Sequence, residues 1–299
     1  VEDEVKGAGF KSAASTQKET GMKAGIVSRT DIPNALSLTR RIIDYLSERG
    51  VDVSVETDTA SALELEDNNT NLSDMEGDFM VTVGGDGTIL RTAMEMKTSE
   101  TPILGVNMGR RGFLSEVTVP EAEWALDKIL EDDYFIEESM KVSSRCLQLE
   151  GSFPDALNEV LIASHLPSKM VLLGLRVDGE HIIDVQADGI LVSTPAGSTA
   201  YNMSAGGAVL APGIDGFSIT AVCPYSYFRS IVVPHDSIIT LELLKPRAEA
   251  IAIIDGRSLH PLQPFNTIEC YASEHVTRFI RFRSFYSRIQ KRILTIQSK

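Results

Sequence analysis

The chain has 299 residues, 43% of them hydrophobic and 23% charged, which is the make-up of a folded globular protein long enough for two cores. A formal net charge of −14 argues against general nucleic-acid binding, which needs Lys and Arg to neutralise phosphates. No apolar run approaches the roughly 20 residues that span a bilayer, and no basic-then-apolar signal opens the chain, so a cytoplasmic protein with no membrane partner is expected. Cys146, Cys223 and Cys270 are odd in number and widely spaced, which predicts reduced core thiols and neither a disulfide framework nor a zinc site.

Residues 1–21 mix Glu, Lys, Ser, Ala and Gly with little apolar content and read as a flexible leader. The apolar run from Ala24 to Val27 starts the ordered chain. From Asp31 a helix is predicted, with Pro33 in its first turn, a stripe of Ala35, Leu38, Ile42 and Leu46, and Gly50 as its stop. Val51 to Val55 and Phe79 to Val83 read as strands, Thr88 to Lys97 as a helix, and Ile103 to Val106 as another buried strand. Strands alternating with helices predict a parallel, helix-covered sheet, with ligands at the carboxyl ends of its strands. A helix follows Pro120.

Beyond it, strand signals dominate: Tyr134 to Val142, Ala156 to Ile162, Val171 to Val177, Ile182 to Val185, Ile190 to Val192, Ile219 to Cys223, Ser237 to Leu244, Ala250 to Ile254 and Thr267 to Tyr271. Asp178-Gly179 marks a hairpin. The fold class expected is an α/β N-terminal domain with a parallel sheet, followed by a mainly antiparallel, sandwich-like β-rich domain and a C-terminal helix over Ser284 to Ile296. The expected organisation is a leader at 1–21, an α/β domain at 22–120, a β-rich substrate-binding domain at 121–275, and a segment at 276–299 that packs back on the α/β domain. Arg278, Arg281, Arg283, Arg288, Lys291 and Arg292 concentrate positive charge at that end and read as a solvated face.

Four segments carry chemistry. Gly84-Gly85-Asp86-Gly87-Thr88 follows a buried strand, and its glycines let backbone amides approach an anion closely at a helix start. A carboxylate there would repel phosphates unless it took a proton or held a metal ion, so Asp86 is a candidate base in phosphoryl transfer. Gly105-Val-Asn-Met-Gly-Arg-Arg-Gly-Phe-Leu114 is a second glycine loop after a strand. Asn158-Glu159 puts an amide and a carboxylate into an apolar run, which is costly unless they meet backbone or a polar ligand such as a ribose. The long loop after Asp188 sets Ser193, Thr194, Ser198, Thr199 and Ser204 beside Tyr201, hydroxyls for sugar or phosphate and an aromatic for a base. Arg91, one helical turn after Gly87, is placed to face donor phosphates. No metal-ligand pattern is seen.

Taken in order, Gly-Gly-Asp-Gly-Thr, then Gly-Val-Asn-x-Gly-Arg-x-Gly-Phe-Leu, then Asn-Glu, then Asp-Gly-x-x-x-Ser-Thr-Pro-x-Gly-Ser-Thr-Ala-Tyr-Asn, the chain resembles the NAD kinase family over residues 22 to 296. Gly-Gly-Asp-Gly alone is shared with 6-phosphofructokinases and diacylglycerol kinases; Asn158-Glu159 with the loop from Asp188 is the specific part. The resemblance implies phosphorylation of the adenosine 2′-hydroxyl of NAD to NADP, with ATP or polyphosphate as donor, Mg²⁺, and a homodimer or homotetramer. It implies Asp86 as general base, Gly84, Gly85, Gly87 and Thr88 as the donor-phosphate loop, and Asn158 and Glu159 on the adenosine. Asp86, Gly87, Thr199, Ala200, Tyr201 and Ser204 would enclose NAD, with Asp188 reaching NAD from a neighbouring subunit. Asp255-Gly256-Arg257 matches a family Asp-Gly-Gln segment with Arg in place of Gln, and the doubled Arg110-Arg111 leans archaeal. The alternatives are a kinase of the same superfamily acting on a sugar or lipid, and a non-catalytic dinucleotide sensor.

Overall fold

The computed structural model describes residues 21–65, 69–96, 98–109, 112–166, 169–245 and 249–294, with side chains described as far as 290. The expectations for the leader before Gly21, for Lys97, for Arg110 and Arg111, and for the side chains of Lys291 and Arg292 lie outside these residues. In the first half, β1 (Lys23–Ser28), α1 (Pro33–Ser47), β2 (Asp52–Glu56), α2 (Thr57–Ala62), β3 (Asn69–Thr70), β4 (Phe79–Gly84), α3 (Asp86–Glu95), β5 (Ile103–Asn107), β6 (Val117–Thr118) and α4 (Ala122–Leu130) follow one another. Strands β3, β2, β1, β4, β5 and β6 pair in parallel.

Both faces of this sheet are covered, as a parallel sheet requires. The α1 stripe of Ala35, Leu38, Ile42 and Leu46 is buried as its spacing predicts, and packs with Leu126 of α4 against Val53, Val81 and Leu104. On the opposite face Ile89 and Leu90 of α3 pack with Met80, Ile103 and Leu157. Burial of each such aliphatic side chain contributes roughly 1.5–3 kcal/mol.

The second half is nearly all strand: β7 (Phe135–Cys146), β8 (Glu159–Ser164), β9 (Val171–Val177), β10 (Glu180–Ala187), β11 (Gly189–Ser193), the short α5 (Tyr201–Ser204), β12 (Gly216–Val222), β13 (Ile231–Pro234), β14 (Ile239–Leu243), β15 (Ala250–Ile254), β16 (Ser258–Leu262) and β17 (Thr267–Arg281), then α6 (Phe285–Leu294). A six-stranded antiparallel sheet runs β13-β12-β11-β8-β15-β16. Its inner face, with Ile190, Val192, Phe217 and Ala252, packs on Leu173, Leu175, Val185, Ile239 and Leu241 of β9, β10 and β14. At Asp178 and Gly179 φ is 53° and 82°, so the β9–β10 connection is the positive-φ hairpin turn that Asp-Gly predicts.

Strand β17 joins the two halves. Its start pairs antiparallel with β14 and β7; after a register shift between Ala272 and Val276 it continues beside β7, and Phe279 pairs in parallel with Ile103 of β5. The larger sheet therefore runs unbroken from β10 through β17 to β3. Sequence reading placed only Thr267 to Tyr271 in this strand, because polar Ser273, Glu274 and His275 interrupt the apolar pattern where the strand bulges.

Candidate active site

The glycine turn closes β4 at the carboxyl edge of the sheet. Helix α3 opens at Asp86, two residues earlier than the sequence suggested, with Gly85 as its N-cap. Asp86 thus sits in the first turn, where unpaired amides favour negative charge. A Cβ on Gly84 would come within 2.2 Å of Thr88 Oγ1, so only glycine lets the turn fold back on the helix start. The Asp86 carboxylate is held by the second glycine loop: Phe113 N donates to Oδ2 at 2.7 Å and Leu114 N to Oδ1 at 3.2 Å. Gly112 makes room for this, since a Cβ there would lie 2.6 Å from Asp86 Oδ1.

In front of the turn lies an open cleft of about 390 Å³, bordered by Gly85, Gly87, Thr88, Arg29, Arg91 and Arg257. Two of its three arginines are already paired. Arg29 makes a fork to Asp31 at 2.6 and 2.8 Å, and Arg91 bonds Glu56 at 3.1 Å with Asp58 at 3.7 Å. Burial pushes the Glu56 carboxyl up, but hydrogen bonds from Arg91 and Thr59 outweigh it and hold Glu56 below its ordinary value. Arg257 has no ion pair among the described residues; its Nη1 donates to Gly87 O at 3.1 Å.

The Asn158-Glu159 pair lies at the entry of β8, with Glu159 opposite Ser193 of β11. The strand was expected to begin at Ala156, which instead makes a single bridge to Val142. Both residues are buried, and Asn158 Oδ1 and Glu159 Oε2 have no hydrogen-bond partner among the described residues. Burial, reinforced by the nearby Asp255 carboxylate, pushes Glu159 up to about 8. Its carboxyl is therefore mostly protonated at neutral pH and can donate as well as accept.

Asp255 organises this corner, a role sequence reading left unassigned. It holds a left-handed φ of 49° and is buried, and its carboxylate accepts from the amides of Leu157 at 2.8 Å, Asn158 at 2.8 Å and Glu159 at 3.0 Å. Burial pushes the Asp255 carboxyl up, against three N–H donors that favour its charged form. Two residues on, Arg257 touches the glycine turn. The 255–257 turn thus grips the Asn-Glu segment at one end and the glycine turn at the other. In the sequence Asp255 shows only as part of an Asp-Gly-Arg segment resembling the family's Asp-Gly-Gln, with no role attached.

The loop after β11 departs from expectation in part. Ser193, Thr194 and Ser198 are buried and bond backbone: Ser198 Oγ donates to Pro195 O at 2.6 Å and accepts from Leu210 N at 2.9 Å, while Gly197 N donates to Thr194 Oγ1 at 3.0 Å. These hydroxyls fold the loop. Thr199 is buried and donates to Ala196 O at 3.0 Å; Ala200 is half-buried, and Tyr201 and Ser204 are exposed. Gly197 packs so tightly that a Cβ would sit 2.0 Å from Asn158 O, which seats the loop on the Asn-Glu segment. Tyr201 and the exposed Asp188 border a second cleft of about 210 Å³, together with Lys169 and Leu161.

Two other expectations need correction. Cys223 is exposed, with a φ of 47°, while Cys146 and Cys270 are buried core thiols as expected. The C-terminal arginines do not form a solvated face: Arg281 and Arg288 are buried and ion-paired with Glu116 and Glu137, and Arg283 pairs with Glu121.

A glycine turn at a helix start thus borders an open cleft, and the 255–257 turn links it to the buried Asn158-Glu159 segment, the arrangement of a nucleotide-binding α/β protein. The ATP-NAD kinase N-terminal domain matches residues 24–134, and the ATP-NAD kinase C-terminal domain matches residues 157–282. The chain is 42% identical over 265 residues to an NAD kinase of Thermococcus gammatolerans, across 87% of this chain and 94% of that protein. It is 35% identical over 276 residues to an NAD kinase of Methanothermobacter thermautotrophicus, across 91% and 96%. The crystal structure of an NAD kinase from Archaeoglobus fulgidus in complex with ATP superposes with a TM-score of 0.73 at 30% identity, covering 93% of this chain and all of that one. The chain belongs to the ATP-NAD kinase family.

Proposed function

We propose that the chain phosphorylates the adenosine 2′-hydroxyl of NAD to give NADP, with Asp86 as the general base. The observation that carries this is the pair of orphaned buried atoms, Asn158 Oδ1 and Glu159 Oε2, held by Asp255 on the turn that also reaches the phosphate loop. Leaving such atoms unpaired costs about 1–3 kcal/mol each. A ribose diol and an adenine amine would satisfy them, and the 2′-hydroxyl would then face the glycine turn.

Positioning is the main contribution. A ribose hydroxyl is a weak nucleophile, so the gain comes from holding it in line with the terminal phosphoryl group and stabilising developing charge. The amides of the 84–88 turn face the donor phosphates, and Arg257 reaches them without giving up an ion pair. Asp86, fixed by Phe113 and Leu114, accepts the 2′-hydroxyl proton late in the transfer. Arg91 borders the cleft with its charge taken up by Glu56 and Asp58, which leaves Arg257 as the cation offered to the donor. Thr199, Ala200, Tyr201 and Ser204 enclose the dinucleotide.

ATP is the donor favoured by this reading, because the Archaeoglobus relative at 30% identity was solved with it. Mg²⁺ would be held by the donor phosphates and would offset their charge; among the described residues no group of three or more His, Cys, Asp or Glu could hold a metal ion. We assign the protein to the cytoplasm and to a homodimer or homotetramer in which Asp188 meets NAD bound to a neighbouring copy. The working division remains an α/β domain at 22–120 and a β-rich domain at 121–275, with 276–299 returning to the first. The test is NADP formation from NAD with Mg²⁺ and ATP or polyphosphate. No product with either donor would overturn the assignment.

A further inference from the structure

The loop that holds Asp86 is itself held from behind. Arg281, at the end of β17, is 2% exposed, and its Nη1 donates to Leu114 O at 2.7 Å. Leu114 is the residue whose amide donates to Asp86 Oδ1 at 3.2 Å, beside the 2.7 Å bond from Phe113 N. The guanidinium is fixed on its other sides as well. Its Nε donates to Glu137 Oε1 at 2.9 Å, Glu116 Oε2 lies 3.5 Å away, and the Phe279 ring lies beneath it at 4.5 Å. Arg288 of α6 completes the cluster, donating to both Glu137 oxygens at 2.8 and 2.6 Å, with Glu116 Oε2 at 3.5 Å.

Two guanidinium groups thus face two carboxylates in a buried cluster, and Glu116 Oε1 also accepts from the amides of Phe282 and Arg283 at 3.0 and 3.1 Å. A buried ionic cluster is a weak source of stability, since desolvation consumes most of its attraction. What it does provide is a fixed direction for each hydrogen bond. Here a bond from the cluster reaches the catalytic loop at Leu114 O.

We propose that Arg281, set by Glu137, Glu116 and Arg288 of the C-terminal helix, is a positioning residue that holds the 113–114 backbone so that its two amides fix the Asp86 carboxylate. This rests on Asp86 acting as the base. It makes the end of β17 and α6, which lie behind the catalytic loop, part of the apparatus that aims the proton acceptor.

The test is a double-mutant cycle on the full chain, with kcat and both KM values measured for wild type, Asp86→Asn, Arg281→Met and the double variant. Methionine fills the space without the fork. Arg281→Met is expected to lower kcat about ten- to a hundredfold, because small displacements at a reacting group are costly, while both KM values move less than about twofold. In the Asp86→Asn background the same change is expected to lower residual turnover less than about twofold, since the group it positions is gone. Equal losses in the two backgrounds, or a rise in KM with kcat unchanged, would overturn the inference.

If circular dichroism shows Arg281→Met unfolded, Arg288→Gln serves in the same cycle. Its expected loss is about threefold, again absent beside Asp86→Asn, and equal losses would overturn it. Wild-type turnover from Asp86→Asn alone would overturn both this inference and the base assignment. A slow Asp86→Asn with independent losses would overturn this inference alone.

Discussion

Replacing Glu159 by glutamine should make the unliganded protein more stable by an amount that grows from about pH 5 and levels off above about pH 8. Burial and the Asp255 charge move this carboxyl from an ordinary 4.5 to about 8 in the folded chain. Between those values the folded state holds a proton that the unfolded state has released, so stability falls as pH rises through that window. Each unit of displacement corresponds to about 1.4 kcal/mol. Deprotonating Glu159 within the folded, ligand-free chain therefore costs on the order of 4–5 kcal/mol, with local relaxation and water entry reducing the realised figure. Glutamine keeps the shape and the acceptor and never ionises. Melting temperatures of wild type and Glu159→Gln, followed from pH 5 to pH 9 without ligand, should nearly coincide at the acid end and separate by about 10 °C at the alkaline end, the variant being higher. Subtracting the two curves cancels the other titrating groups. A difference that stays flat with pH would refute the placement of a buried, unpaired carboxyl beside Asp255.

Other outcomes follow from the same geometry. Gly112→Ala should lower kcat about a hundredfold with a folded protein, because its Cβ would lie 2.6 Å from Asp86 Oδ1; turnover within twofold of wild type would show that the carboxylate has room to move. Arg257→Gln should raise the KM for ATP about five- to tenfold, the difference between a charged and a neutral hydrogen bond, and leave the KM for NAD unchanged; a matched rise in both would place Arg257 outside the donor cleft. Asp188→Ala should raise the KM for NAD, and sedimentation should find the wild type as a dimer or larger at assay concentration; a fully active monomer would contradict the role given to Asp188.

Local chemistry made much of the molecule legible. Helix α1 was readable because its 3.6-residue stripe coincides with what is buried, and the glycine turn because an apolar strand, three glycines and a helix start are adjacent in sequence. Asn158 and Glu159 stood out because polar atoms in an apolar run need partners, and two of those atoms lack one among the described residues. Strands β13 and β16 escaped notice since Pro234 and Pro261 weaken the strand pattern. Both lie at the edges of their sheet, where a missing N–H is tolerated. The arginine cluster was misread for a different reason. Arg281 finds Glu137 and Glu116 144 and 165 residues away, so a window on the C-terminus showed cations without their anions. Asp255 was likewise opaque, because its partners are amides 96 to 98 residues earlier. Hydroxyls from the end of β11 onward misled in the other direction: a dense row suggests ligand contacts, yet Ser198 bonds the loop's own backbone and Ser193 and Thr194 tie it to the backbone of Asn158 and Leu157.

The central claim is tested most directly by Asp86→Asn, with NADP formation from NAD and Mg²⁺-ATP measured beside NAD binding by calorimetry. The account predicts that NAD binds with wild-type affinity while NADP formation falls at least about a hundredfold, the scale of a lost general base. Turnover at the wild-type rate with NAD still bound would contradict it.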